Sequence, residues 1–161
     1  MSETAFPEPS PLNDVADFHR TFNMPVLDTP TVPHPDRSAL RINLLQEELD
    51  ELKEAIEQDS ISGIADALCD LQYVLSGAIL EFGIAPKFKS LFEEVQRSNM
   101  SKVCPDMSTA EATLEFYMKK DGTKGFIRES ESGFLVYREG DQKVLKSVSY
   151  SPADLETILE D

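Results

Sequence analysis

Basic residues are scarce in this 161-residue chain: 15 Lys and Arg stand against 30 Asp and Glu, a formal net charge of -15. A deficit of that size excludes general binding to nucleic acid or to an anionic membrane, both of which need a basic face. Cysteine is also rare. Cys69 and Cys104 have no CxxC spacing, so the chain reads as a cytoplasmic protein with reduced thiols, and Cys69 is expected to pack as a small hydrophobe in an apolar helix. The seven glycines are scattered and build no phosphate-cradling loop, which excludes P-loop chemistry. Only His19 and His34 exist, neither in a Glu-x-x-His pair, and that argues against a di-iron bundle. The N-terminus has no basic-then-apolar order, so no secretory signal is expected. The longest charge-free apolar run, Leu71 to Leu80, falls short of the roughly 20 residues that cross a bilayer.

What is present is mostly helical patterning. Residues 1–10 are Pro-rich and polar and read as disordered. Val15, Phe18 and Phe22 fall at helical spacing, predicting a short helix over 13–23, and the four prolines of 24–36 predict an extended connection. Ile42, Leu45, Leu49, Leu52 and Ile56 recur every three or four residues, predicting a helix over 37–58 with one buried stripe. Asp59-Ser60 ends it and caps a helix over 61–82 that Gly83 stops. So short a connection makes the two helices antiparallel neighbours. Pro86 opens another helix running to Met100, with Phe88, Leu91, Phe92 and Val95 expected to be buried. Beyond it, 108–119 reads as a helix, 126–137 as a β-hairpin turning at Glu131-Ser132-Gly133, and the residues after Pro152 as a short helix.

The acids are not evenly spread. On a helical wheel Glu48 borders the apolar stripe, with Glu51 and Glu47 further round, while Asp50, Glu54 and Glu57 point to water. Asp66 and Asp70, at i,i+4, share a face of the next helix, and antiparallel pairing turns that face towards Glu48 and Glu51. Two unit charges about 4 Å apart cost about 4 kcal/mol at an effective dielectric of 20. A divalent cation relieves that cost, and carboxylate oxygens suit Mg²⁺ or Mn²⁺. From the residues alone, a metal site and a merely solvated acidic helix pair stand about equal. Phe18, Phe22 and Tyr73 read chiefly as core aromatics, with a base-walling role as the other option.

EELDE (47–51) followed by ADALCDLQYVLSG (65–77) resembles the signature of the MazG-like, all-α nucleoside triphosphate pyrophosphohydrolases, whose pattern is ExxE, a gap, then ExxD. That superfamily includes dimeric dUTPases and phosphoribosyl-ATP pyrophosphohydrolase. DFHRTFNMPV (17–26), FEEVQRSNMSK (92–102) and KVLKSVSYSPADL (143–155) resemble further segments of its compact dimeric branch. The resemblance covers most of 13–103 plus 143–155. It implies an antiparallel helical bundle completed by dimerisation, as a homodimer or a dimer of dimers, with the hairpin as a small C-terminal extension. It divides the chain into a helical catalytic core over 11–103, an insertion over 104–142 and a segment over 143–161 that packs back on the core.

The resemblance implies Mg²⁺ or Mn²⁺ held by Glu48, Glu51 and Asp70, with Glu47 accepting a proton from water. The family's remaining glutamate falls on Ala67, a departure from the pattern, and Asp66 stands in one residue earlier. Asn99, Lys102, Arg97 and Lys146 are the residues implied to bind the substrate phosphates. The implied reaction cleaves a nucleoside triphosphate between its α- and β-phosphates, on a (d)UTP-like or an abnormal nucleotide, or on phosphoribosyl-ATP. The reading from another class is a non-catalytic dimeric helical-bundle module whose acidic groove binds a partner.

Overall fold

The computed structural model describes residues 6–160. Residues 6–10 are exposed and take no regular structure; the rest of the N-terminal stretch expected to be disordered lies outside the described residues. The chain divides into two compact units, Met1–Phe88 and Lys89–Asp161. The boundary falls within the helical core expected over 11–103.

The first unit holds three helices: α1 (Pro11–Thr21), α2 (Pro35–Glu57) and α3 (Ile61–Glu81), followed by a 3-10 turn, Ala85–Lys87. Pro11 and Pro35 each sit in a first helical turn, where the missing N–H costs nothing. The α2–α3 turn follows the expected chemistry. Asp59 takes a left-handed φ of 51°, and Ser60 Oγ accepts the Gly63 N–H at 3.1 Å. The proline-rich connection runs back along the end of α3, where the N–H groups of Leu27 and Thr31 donate to the carbonyls of Leu80 and Phe82, both at 3.0 Å. Gly83 adopts φ 67° there. A Cβ on it would lie 2.0 Å from the Thr29 carbonyl oxygen, so no other residue fits. Val15, Ala16 and Leu80 form the small core where α1 meets α3.

α2 packs on α3 in a register that repeats every two turns. Ala55 lies against Gly63, and Arg41 against Gly77. Seven residues from each end lies a middle layer that sets Glu48 opposite Asp70. The buried face of α2 is therefore Arg41, Leu45, Glu48, Leu52 and Ala55, which are buried or half-buried. This shifts the expected stripe. Ile42, Leu49 and Ile56 are 64%, 40% and 58% exposed and form a separate row with a seven-residue repeat. Ile61, Leu68 and Leu75 form a matching exposed row on α3. Cys69, expected to be packed, is exposed as well. By length and composition α3 could span a membrane despite the shortness of its charge-free run; here it packs against both α1 and α2.

One polar layer lies inside this unit. Glu81 and Arg41 are 1% and 3% exposed, and Arg41 and Arg37 both bind the Glu81 carboxylate. Burial pushes that carboxyl up, but the hydrogen bonds from Arg37 and Arg41 outweigh it and hold the group below its ordinary range. Buried His19 closes the layer from α1, with its Nδ1 2.7 Å from the Pro25 carbonyl oxygen.

The second unit contains most of α4 (Phe88–Met100), then α5 (Met107–Asp121), β1 (Gly125–Ser130), β2 (Gly133–Arg138) and α6 (Leu155–Glu160). Asp106 caps α5 by accepting the Thr109 N–H at 2.7 Å, and Gly122 ends it at φ 74°. The strands pair antiparallel with Ser130 opposite Gly133, so Glu131 and Ser132 make the turn. Ile127, Phe134 and Val136 face α5 and pack with Cys104, Ala110, Leu114, Tyr117 and Leu145. On α4, Leu91 is buried as expected, whereas Phe92 and Val95 are exposed. The other buried position on α4 is the polar Ser98. α4 groups with the C-terminal segment because its polar side chains bind there: Arg97 to the Pro152 carbonyl, Ser98 to Tyr150, and Glu94 to the Asp154 N–H.

Candidate functional site

The acids singled out in the sequence gather around one member. Glu48 is half-buried at the α2–α3 contact. Its carboxyl is raised above 4.5, first by burial and then by the charges of Glu51, Asp70, Glu47 and Asp66 in that order. Asp50, which the wheel turns to water, is instead lowered, chiefly by Lys53. Glu51 and Asp66 also line a shallow depression with Glu54, Ala55, Gln58 and Gly63. Ala67, at the position of the family glutamate, is buried.

Four carboxylates crowding a fifth suit a hard, oxygen-seeking divalent cation. Among the described residues, no three or more His, Cys, Asp and Glu side chains converge closely enough to hold a metal ion as they stand. Four cations of this unit are committed to other acids. Arg20 pairs with Asp17, Arg37 and Arg41 with Glu81, and Lys53 with Asp50.

Phe18, Phe22 and Tyr73 do not form the core expected of them. All three are exposed, with Phe18 4.4 Å from Phe22 and edge-on to Tyr73 at 5.6 Å. An apolar aromatic cluster in water is a ready stacking surface.

The phosphate-binding candidates lie in the second unit. Lys102 Nζ donates to Asn99 Oδ1 at 2.7 Å, and Lys146 Nζ stands 4.3 Å from the centre of the Tyr150 ring. Arg97 is differently employed. It donates to both Glu94 oxygens at 2.7 and 2.8 Å and to the Pro152 carbonyl at 2.9 Å. That pairing, with the Asp154 N–H, lowers the Glu94 carboxyl to about 2. Tyr150 was missed as an individual residue. Its hydroxyl is 3.0 Å from Ser98 Oγ, and this bond is the largest influence lowering its pKa, against burial and with help from Lys146 and Lys102. The sequence signal was available, since Tyr150 falls within the quoted KVLKSVSYSPADL segment.

A mostly helical fold with one small antiparallel hairpin defines the class as an all-α protein. The family described as phosphoribosyl-ATP pyrophosphohydrolase matches residues 15–99, more than half of the chain. The chain belongs to that family, part of the MazG-like nucleotide pyrophosphohydrolase superfamily. It is also similar to the uncharacterized protein L479 of Acanthamoeba polyphaga mimivirus, 31% identical over 96 residues, covering 55% of this chain and 37% of that protein. The chain thus spans little more than a third of that relative's length. Family membership supports a pyrophosphohydrolase role in general.

Proposed function

We propose that this protein is a metal-dependent hydrolase that cleaves a nucleoside triphosphate between the α- and β-phosphates, releasing a nucleoside monophosphate and pyrophosphate. The observation that carries the reading is the crowd of Glu51, Asp70, Glu47 and Asp66 around half-buried Glu48. Such a concentration of like charge opposes folding, and its persistence is explained by a bound Mg²⁺ or Mn²⁺. Glu48, Glu51 and Asp70 hold the ion, with Asp66 in place of the family's glutamate. When bound, the ion supplies Lewis-acid polarisation of the phosphate oxygens it holds. Glu47, exposed at the edge of the cluster, accepts the proton of the water that adds across the anhydride. Asn99, Lys102 and Lys146 bind phosphate oxygens, while Arg97 braces α4 against the 152–154 segment. Phe18, Phe22 and Tyr73 wall the base.

The protein acts as a homodimer in this reading. The support is the pair of exposed seven-residue rows, Ile42/Leu49/Ile56 and Ile61/Leu68/Leu75, an apolar surface that water disfavours and a second copy would cover.

The test is a pyrophosphate-release screen over canonical and modified nucleoside triphosphates and phosphoribosyl-ATP, with Mg²⁺ or Mn²⁺. Release from at least one nucleotide, abolished by chelation, is expected. Partner binding through the acids without turnover of any nucleotide would instead establish the non-catalytic module.

A further inference from the structure

The two edges of the hairpin are not alike. The two-residue turn closes on Ser130 and Gly133, so alternate residues of each strand bond to the other strand, and those between them turn their backbone groups outward. The Glu139 N–H donates to the Lys124 carbonyl at 2.9 Å, which marks the even-numbered residues of β1 as the inward set. On β2 the outward residues Phe134, Val136 and Arg138 are all answered by the same chain. Phe134 and Cys104 exchange two bonds at 2.8 Å, the Leu145 N–H donates to the Val136 carbonyl at 2.8 Å, and the Arg138 N–H to that of Lys143 at 2.9 Å. On β1 the outward residues are Gly125, Ile127 and Glu129. Among the described residues, no backbone group bonds to them from that side.

An open edge is usually blunted by proline, lysine or a bulge. β1, with the sequence GFIRES, has none of these, and its register runs unbroken. Its exposed cation is laid down over its own sheet. The Arg128 guanidinium carbon stands 5.8 Å from the centre of the Phe126 ring and 5.2 Å from that of Tyr137. The two rings stack at 5.5 Å on the face away from α5. The other face carries Ile127 into the core with Phe134 and Val136.

We propose that β1 is an interface strand, pairing antiparallel with β1 of a second copy about a two-fold axis at Ile127 and joining the two hairpins in one four-stranded sheet. The choice of occupant rests on self-complementarity. In this register Gly125, Ile127 and Glu129 bond to the partner's Glu129, the partner's Ile127 and the partner's Gly125, so the outward groups of the strand are satisfied. Phe126 falls opposite the partner's Arg128, and Arg128 opposite the partner's Phe126, which makes two cation–π pairs. Ile127 meets the partner's Ile127 on the α5 side and continues one core into the next. Moving the axis to Arg128 or to Glu129 sets a charge directly against itself, and moving it to Phe126 leaves Glu129 opposite Thr123, before the strand begins. The interface is separate from the exposed rows of α2 and α3, and it does not rest on the proposed function.

Sedimentation of the full-length protein at micromolar concentration tests the pairing. With this interface and the helical rows both in use, the parent should run as four chains of 18.0 kDa. Glu129→Pro removes an outward N–H without touching a bond to β2, and should halve that mass. Arg128→Glu should weaken the association about tenfold, and Glu156→Gln, on exposed α6, should leave it unchanged. Circular dichroism confirms that each variant is folded. In the Leu49→Glu/Leu68→Glu background, which disables the helical rows, the chain should remain a dimer and become a monomer once Glu129→Pro is added. A parent of two chains that neither β1 variant alters would overturn the β1 pairing and keep the homodimer through the helices. A parent of two chains that Glu129→Pro makes monomeric would keep the β1 pairing and reject that homodimer. Amide exchange gives a second readout: the Ile127 and Glu129 N–H groups should be protected in the parent and exchange faster in Arg128→Glu. Free exchange at both in the parent would leave the edge open to a peptide of another protein and overturn the pairing of copies.

Discussion

Gly77 sits so close to Arg41 that a Cβ on it would stand 2.6 Å from a guanidinium nitrogen, and 3.1 Å from His19 Nε2. A buried guanidinium tied to Glu81 cannot swing aside as a surface arginine would. Gly77→Ala is therefore expected to destabilise the protein by about 1–3 kcal/mol through overpacking, although alanine is the better helix former. Urea unfolding of the two proteins measures it, and a variant as stable as the parent would refute the tight contact.

The same layer makes a stronger prediction at Glu81. Removing one partner of a buried ion pair leaves uncompensated charge, here on both Arg37 and Arg41. Glu81→Ala should cost about 3–5 kcal/mol, read as a large drop in the unfolding midpoint. A loss below 1 kcal/mol would mean that water reaches the arginines.

For the acid cluster, stability and activity should move in opposite directions. Glu48→Gln and Asp70→Asn remove charge from a repulsive group, so without metal both should melt at the parent temperature or about 1–3 °C above it. Both should lose nucleotide hydrolysis at saturating Mg²⁺ with helix content intact. Full activity in either would contradict the metal-holding roles.

Much of the architecture could be read from the sequence. The α2–α3 turn was legible because Asp59 and Ser60 carry their local chemistry with them. The hairpin was legible because its apolar residues alternate around a Gly-containing turn. The buried stripe of α2 was legible only in Leu45 and Leu52. Periodicity identifies an apolar face without saying which flank meets the neighbour, and Gly63 and Gly77 drew the contact towards Ala55 and Arg41. The Arg37–Arg41–Glu81 layer had no sequence signal, since residues 40 and 44 positions apart carry no periodic relation. At the candidate site, the acids stood out by spacing on two adjacent helices. Tyr150 did not, because its significance lies in meeting Ser98 across 52 residues.

Acid sensitivity should report the Glu94–Arg97 pair. The folded carboxyl is lowered from 4.5 to about 2, so its contribution is present above pH 4.5 and is lost as pH falls from there towards 2. Glu94→Gln should be less stable than the parent at neutral pH, and the difference should shrink across that window. Unfolding midpoints at pH 7, 4 and 2.5 provide the measurement; a gap that stays constant would exclude the linkage.

The two exposed apolar rows make association in solution the outcome expected of the proposed dimer. Sedimentation at micromolar concentration should give at least twice the 18.0 kDa chain mass. The double variant Leu49→Glu/Leu68→Glu should shift it towards the monomer. A parent protein that sediments as a monomer would defeat the dimer.

The spacing of α2 from α3 at Glu48 and Asp70 has a consequence for all such experiments. Two turns away on either side, Gly63 against Ala55 and Gly77 against Arg41 act as spacers that set the gap between the helices. The acids of this layer therefore sit across a helix spacing that they do not themselves determine. Neutralising them is expected to change the charge along the seam without changing the distance between the helices.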